Sequence, residues 1–214
     1  MPELRSMVFV IENDRSLRQE LRRLIYSVGL RVQLLESAEE FLGLQREDVP
    51  SCLLLDVRLS GISGLELQRR LGGAHNKIPL IFITSHGDVS MSVTAMKAGA
   101  VDFLQKPFRD QELLDAVCLG LERDRSRLEL CEEDRMLQSR FESLTVRERE
   151  VVMLVTLGMP NKMTADKIGI GENTVKVHRH RAMEKMQAQS LADLVRMVAR
   201  LATTQSSFRL ARPA

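Results

Sequence analysis

CLLLDVRLSGISG, residues 52–64, is a short apolar run closed by an aspartate and released into a loop of serines and glycines. Such a run reads as a strand with Asp56 at its carboxyl end. Comparable runs stand at MVFVI (7–11), RVQLL (31–35), PLIFIT (79–84) and VDFLQ (101–105). Helical patterns lie between them. Leu17, Leu21, Leu24, Ile25 and Val28 follow the three-and-four spacing of an amphipathic helix, and Ser37 with Glu40 reads as a capping box before a second one. Five strands alternating with helices predict an α/β fold, a doubly wound five-stranded parallel sheet of the flavodoxin-like kind. The functional site is expected at the carboxyl ends of its strands.

From Asp110 a helical pattern runs to about Arg140, with Leu114, Leu121 and Leu128 seven apart and Val117 and Cys131 offset. Gly120 and Asp124 interrupt that seam. It reads first as a solvated connecting helix and second as a short coiled-coil contact between two copies. Four helices then follow, punctuated by Gly158, Pro160, Gly169 and Gly171, which predicts a compact all-α domain. The last stretch, TTQSSFRLARPA, has no periodicity and reads as a frayed, flexible tail. The expected division is therefore 1–122, a linker helix at 123–139, an all-α domain at 140–202 and a tail at 203–214.

A chain of 214 residues with 44% hydrophobic content can fill two modest cores. No run approaches the roughly 18 apolar residues of a membrane span, and acidic residues precede any apolar region long enough for a secretory signal. No membrane partner is expected, and the cytoplasm is the expected location. Cys52, Cys118 and Cys131 lack CxxC spacing, so they read as reduced, mostly structural thiols. The net charge of +2 hides an asymmetry: residues 1–119 hold 14 basic against 16 acidic side chains, whereas residues 140–214 hold 13 against 7. That polarity suits a nucleic-acid partner for the carboxyl-terminal half.

Strand one runs into Glu12-Asn13-Asp14 and strand three ends in Asp56, so the fold gathers acids at one edge. Crowded carboxylates repel, and a hard divalent cation such as Mg²⁺ relieves the repulsion with oxygen ligands. Thr84 ends strand four, and Lys106 follows strand five. A phosphoryl group on Asp56 would need a cation, an ammonium and a hydroxyl donor, which the metal, Lys106 and Thr84 can supply. Taken singly, strand-end acids are often loop caps and Lys106 a surface lysine. In this order they are far more specific.

VIENDRSLR, CLLLDVRLSGISG, IFITSHGD and AVDFLQKPF together resemble the four signature segments of response-regulator receivers, over about residues 5–122. The resemblance implies that Asp56 accepts phosphate from a sensor histidine kinase, with Mg²⁺ held by Glu12, Asn13, Asp56 and the backbone carbonyl of Arg58. It further implies that Thr84 and Phe103 move together as a switch, that Lys106 contacts the phosphoryl group, and that Lys106-Pro107 is a cis peptide, which a prolyl bond tolerates. Two departures stand out. Receivers usually carry paired acids where this chain has Glu12-Asn13, so the neutral Asn13 should lower metal affinity; the resemblance does not place Asp14 in the pocket. Ser60 stands where the family often has proline, which should loosen the loop after Asp56.

Thr145-Val146-Arg147-Glu148 reads as a capping box that opens a helix ending near Gly158. A short helix at Asn161 to Ile168, a turn at 169–172 and a longer helix from about Asn173 to Met186 make a helix-turn-helix. Ser190 with Asp193 caps a last helix. At about 100° per residue, Val175, Ala182 and Met186 face inward and Val177, His180 and Glu184 outward, with Lys176 and Arg181 flanking the outward face. A solvated basic face would show the same charge pattern. Residues 143–198, however, closely resemble the LuxR-type domain of the FixJ/NarL branch of response regulators. That implies base contacts from Lys176, Val177 and His180 and phosphate contacts from Thr174, Arg179 and Arg181. His180 stands where some relatives carry lysine, and Gly171 replaces the commoner serine at the helix start.

The reading is a DNA-binding response regulator rather than an enzyme: a transcriptional activator, phosphorylated on Asp56 and homodimeric when active. Its expected partners are promoter DNA, a sensor histidine kinase and RNA polymerase. The alternative keeps the DNA binding but makes the receiver phosphate-independent, governed by dimerisation, a partner or a ligand. A phosphotransfer enzyme acting on small molecules would need a substrate pocket and lid, and the rest of the chain is spent on a helix-turn-helix.

Overall fold

A computed structural model describes residues 6–72, 78–85 and 89–210, with side chains excepted at 204–210. The chain divides between Glu129 and Leu130 into two compact units, a boundary that falls inside one helix.

In the first unit the strands are β1 (Met7–Ile11), β2 (Arg31–Leu35), β3 (Ser51–Asp56), β4 (Leu80–Thr84) and β5 (Asp102–Gln105). They form one parallel sheet in the order β2-β1-β3-β4-β5. The helices are α1 (Arg15–Ser27), α2 (Ala38–Gly43), α3 (Gly64–Gly72), α4 (Val89–Lys97) and α5 (Asp110–Glu142). The alternation of side chains along each strand fills two cores. Phe9, Ile11, Leu53, Leu55 and Phe82 pack with Phe41 of α2, Leu67 and Leu71 of α3 and Ala95 of α4. Val8, Val10, Cys52, Leu54, Ile81 and Ile83 pack with Leu21 and Ile25 of α1 and with Leu113, Val117 and Leu121 of α5. Both faces are covered, which is why β3 and β4 are buried along their whole length.

Several expectations are refined. Ser37 caps α2 by accepting the Glu40 N–H, but the Glu40 carboxylate accepts the Glu36 N–H, so the box closes one residue early. Leu121, the middle residue of the proposed heptad seam, lies in the core of the first unit and is not free to pair with another copy. Gly120 and Asp124, which interrupt the seam in the sequence, belong to the face that packs on the sheet. A Cβ on Gly120 would come 3.0 Å from the Cys52 Cβ, and the Asp124 carboxylate accepts the Ser51 N–H at 2.9 Å. Cys52 is buried, and burial pushes its thiol above the ordinary range; Cys118 and Cys131 are exposed.

The second unit contains the end of α5 with α6 (Val146–Thr156), α7 (Asn161–Ile168), α8 (Glu172–Met186) and α9 (Leu191–Leu210). Leu144, Val151, Val155, Ala165, Val175, Ala182, Met186 and Leu194 are among the residues of its core. The sequence reading ended α9 at 202, yet the helix continues to Leu210, with Thr203 Oγ1 donating to the Ala199 carbonyl at 3.1 Å. Residues 203–210 lack periodicity but contain no glycine or proline to stop a helix. The rest of the expected tail, 211–214, lies outside the described residues. Among the described residues no helix is long and apolar enough to cross a membrane.

The capping box at Thr145 is complete, and its Glu148 does further work. Lys185, near the end of α8, donates to the Glu148 carboxylate at 2.6 Å. Burial pushes the Glu148 carboxyl up, and the bonds from Lys185 and Thr145 outweigh it, leaving the group below its ordinary range. A depressed carboxyl stabilises the fold above its unfolded pKa and loses that contribution as pH falls through the folded value. Glu148→Gln should therefore cost about 1–3 kcal/mol at neutral pH. In urea titrations of the full chain followed by NMR signals of α6, the gap to wild type should narrow below about pH 4.5.

Candidate functional site

The order β2-β1-β3-β4-β5 makes β1, β3 and β4 neighbours and brings their carboxyl ends to one edge. Glu12 follows β1, Asp56 closes β3, Thr84 closes β4, and Lys106 follows β5. Glu12, Asp56 and Thr84 are buried. The Lys106 ammonium reaches between the two acids, 2.6 Å from Glu12 Oε2 and 2.8 Å from Asp56 Oδ2. Only 15% of its side chain is exposed, against 2% for Glu12 and 12% for Asp56. Burial works against the charged lysine, but the hydrogen bonds to Asp56 and Glu12 outweigh it and raise its pKa above the ordinary value. The Lys106 N–H also donates to the Thr84 carbonyl at 2.8 Å, and Lys106-Pro107 is cis. Phe103, half-buried on β5, lies with its ring centroid 6.1 Å from that of Phe82.

The loop after Asp56 is closely tied to these groups. Asp56 Oδ1 accepts the Arg58 N–H at 2.9 Å, and the Asn13 amide nitrogen donates to the Arg58 carbonyl at 3.1 Å. Gly64 begins α3 against the strand end, where a Cβ would lie 2.6 Å from the Asp56 carbonyl oxygen, so no side chain fits there without displacement. Asp14 is spent elsewhere. Its carboxylate caps α1 by accepting the N–H groups of Ser16 and Leu17.

The oxygens of Glu12, Asp56 and the Arg58 carbonyl are the donor type that a hard cation takes. Asn13 does not fit as placed, because it turns its N–H group, not its oxygen, toward the Arg58 carbonyl. Among the described residues no group of three or more His, Cys, Asp or Glu could hold a metal ion. An open groove of about 940 Å³ beside Lys106 is lined by Leu17, Glu20 and Leu24 of α1 and by Ser85, Pro107 and Phe108.

In the second unit Gly169, at φ 70°, ends α7 in the left-handed conformation that glycine adopts without penalty, and Gly171 opens α8. Val175, Ala182 and Met186 are fully buried, which leaves Thr174, Lys176, Val177, His180 and Arg181 on the exposed face. Two acids share it, Glu184, which the sequence reading also places outward, and Glu172, which it does not name on this face. Glu172 lies 3.0 Å from Lys176 and Glu184 lies 3.5 Å from His180, both in the i,i+4 relation legible in the sequence. Arg179 is half-buried and reaches back to Asn161 Oδ1 of α7 at 3.4 Å.

Comparison with known proteins gives a match on each unit. Residues 8–118 match the response regulator receiver domain, and residues 142–198 match the LuxR family of bacterial regulatory proteins. The chain is 53% identical over 193 residues to nodulation protein W of Bradyrhizobium diazoefficiens, covering 90% of this chain and 85% of that protein. It is 40% identical over 194 residues to the transcriptional regulatory protein FixJ of Rhizobium meliloti, covering 89% and 93%. Among solved structures, the response regulator StyR superposes with a TM-score of 0.79 at 45% identity, over 92% of this chain and 99% of that one.

Removing the ammonium from this pocket leaves two adjacent buried carboxylates facing each other. Lys106→Met should lower the stability of the first unit by about 1–3 kcal/mol at neutral pH. A lysine whose pKa is raised contributes fully below its unfolded value and loses the contribution as pH rises through the folded value. Urea unfolding of both proteins should show a difference that closes only above about pH 10.5.

Proposed function

The chain belongs to the two-component response regulators that join a receiver domain to a LuxR-type DNA-binding domain, and we propose that phosphorylation of Asp56 by a sensor histidine kinase governs its hold on promoter DNA. The observation that carries this reading is the Lys106 ammonium set 2.8 Å from the Asp56 carboxylate at the sheet edge. An Asp56 oxygen attacks the phosphorus of the kinase phosphohistidine. The P–N bond breaks, and its electron pair leaves with the imidazole. Lys106 stays beside the phosphoryl oxygens, and Thr84 and Phe103 respond as the switch. The groove beside Lys106 is where the donor protein would approach. Receiver domains generally use Mg²⁺ for this chemistry; here Glu12, Asp56 and the Arg58 carbonyl would hold it, and it would neutralise phosphoryl charge.

On DNA, Lys176, Val177 and His180 would meet base edges in the major groove, while Thr174, Arg179 and Arg181 would meet phosphates. The active form would be a homodimer on two half-sites, acting in the cytoplasm as an activator that engages RNA polymerase. The buried Leu121 argues that the contact between copies does not run through the heptad seam. A second reading, in which the receiver works without phosphate, is favoured by Asn13, whose amide already occupies the Arg58 carbonyl.

Two experiments test the proposal. In acyl-phosphate labelling read by intact mass, wild type should gain one phosphoryl group and Asp56→Ala none. If wild type never labels while its DNA binding is already maximal, the phosphate-independent reading replaces the first. In binding to promoter fragments, Lys176→Ala should change sequence preference at a cost of about 1–3 kcal/mol, whereas Arg179→Ala should weaken all sequences alike and lower the salt slope by about one.

A further inference from the structure

The loop joining β3 to α3, residues 57–63, carries the Arg58 carbonyl and so sets one wall of the pocket. Four of the hydrogen bonds that brace it bear on its position. Asp56 Oδ1 accepts the Arg58 N–H at 2.9 Å, and the Asn13 amide donates to the Arg58 carbonyl at 3.1 Å across 45 residues of sequence. Glu39 of α2 accepts the Ile62 N–H at 3.3 Å, and the Gly64 N–H donates to the Val57 carbonyl at 3.0 Å. Gly61, at φ +87°, makes the turn between the two halves, and a Cβ on it would come 2.9 Å from Glu39 Oε1. The looseness expected from Ser60 is therefore offset from outside the loop, by β1's end and by α2.

We propose that Asn13 is a positioning residue whose amide stands in for a cation at the Arg58 carbonyl, holding the loop in its working position when no Mg²⁺ is bound there. The exposed carbonyl oxygen at this edge can accept from water, a metal ion or an N–H, and of these only the Asn13 N–H is covalently part of the chain and ties the loop to the end of β1. Aspartate at position 13 has no hydrogen to donate and would add a negative charge beside Asp56 and Glu12, so its loop would depend on a cation for order. Asparagine makes the same span with its own amide. Cation binding in this chain then adds charge neutralisation without ordering the wall, and a cation bound at Arg58 must displace the Asn13 contact. The inference rests on the receiver reading only for the identity of the cation.

Hydrogen exchange of the full-length protein, followed on the peptide covering 57–63 with and without Mg²⁺, tests it apart from phosphorylation. Wild type should exchange at the same rate in both conditions. Asn13→Asp should exchange about threefold to tenfold faster without Mg²⁺, the loss of one hydrogen bond, and return to the wild-type rate when Mg²⁺ is added. Asn13→Ala should be faster in both conditions; if alanine opens the whole receiver, seen as faster exchange in β1 and β4, the near-isosteric Asn13→Asp carries the comparison. Slowing of the wild-type loop by Mg²⁺ to the extent seen in Asn13→Asp would overturn the proposal, as would metal-free Asn13→Asp exchanging no faster than wild type. Failure of Asp56 to label while these rates behave as stated would instead count against the phosphoacceptor reading alone.

Discussion

The Lys106 ammonium, between two buried carboxylates at the edge of an otherwise apolar sheet, is the interaction on which the receiver depends. Glu12 and Asp56 stand at the ends of adjacent strands and are almost wholly withdrawn from water. Two unpaired charges in that position would each carry a large desolvation penalty. The lysine arrives from β5, across β4, and its own amide is fixed to the Thr84 carbonyl. The cation thus comes from the far side of the sheet, so the register of β3, β4 and β5 and the pairing of charge are one requirement.

The frame around that pairing was legible in the sequence because it rests on short-range periodicity. Continuous apolar runs such as CLLL and LIFI mark strands covered on both faces, and the polar residues that end them, Asp56 and Thr84, mark the carboxyl edge where a site is expected. The pocket residues Asp56, Thr84 and Lys106 could be named from their places after successive strands. What could not be read depends on distance in sequence or on competition between partners. No local pattern indicates that Asn13 will donate to a carbonyl 45 residues away, or that Glu39 of α2 will anchor the loop after Asp56. The seven-residue spacing of Leu114, Leu121 and Leu128 was visible, but a heptad and the sheet-facing stripe of α5 share residues, and the core between sheet and helix claimed Leu121. Residues 203–210 erred the other way. Absence of periodicity was taken for absence of helix, although nothing in them stops one.

The helical unit was easier to read because its signals are local. The box at Thr145 and Glu148, the left-handed Gly169 and the short α7 lie within one or two turns of the features they produce. The exposed face of α8 follows from the burial of Val175, Ala182 and Met186, since a helix with one stripe fixed in a core has no choice about the opposite one. Its electrostatics are less basic than the sequence count suggests. Lys176 faces Glu172 and His180 faces Glu184, so the residues read as base contacts stand in partly compensated surroundings.

The neutral Asn13 also bears on how a phosphate donor would meet the pocket under the proposed function. By formal charge, Glu12, Asp56 and Lys106 sum to minus one, where a second acid at position 13 would make minus two. An incoming phosphoryl group is itself an anion, and repulsion at close range in a poorly solvated site is scarcely screened by salt. One fewer negative charge lowers the electrostatic barrier to encounter before any counter-ion has arrived. On the proposed reading, the asparagine that removes a charge from the metal site also leaves the pocket less hostile to an incoming phosphoryl group.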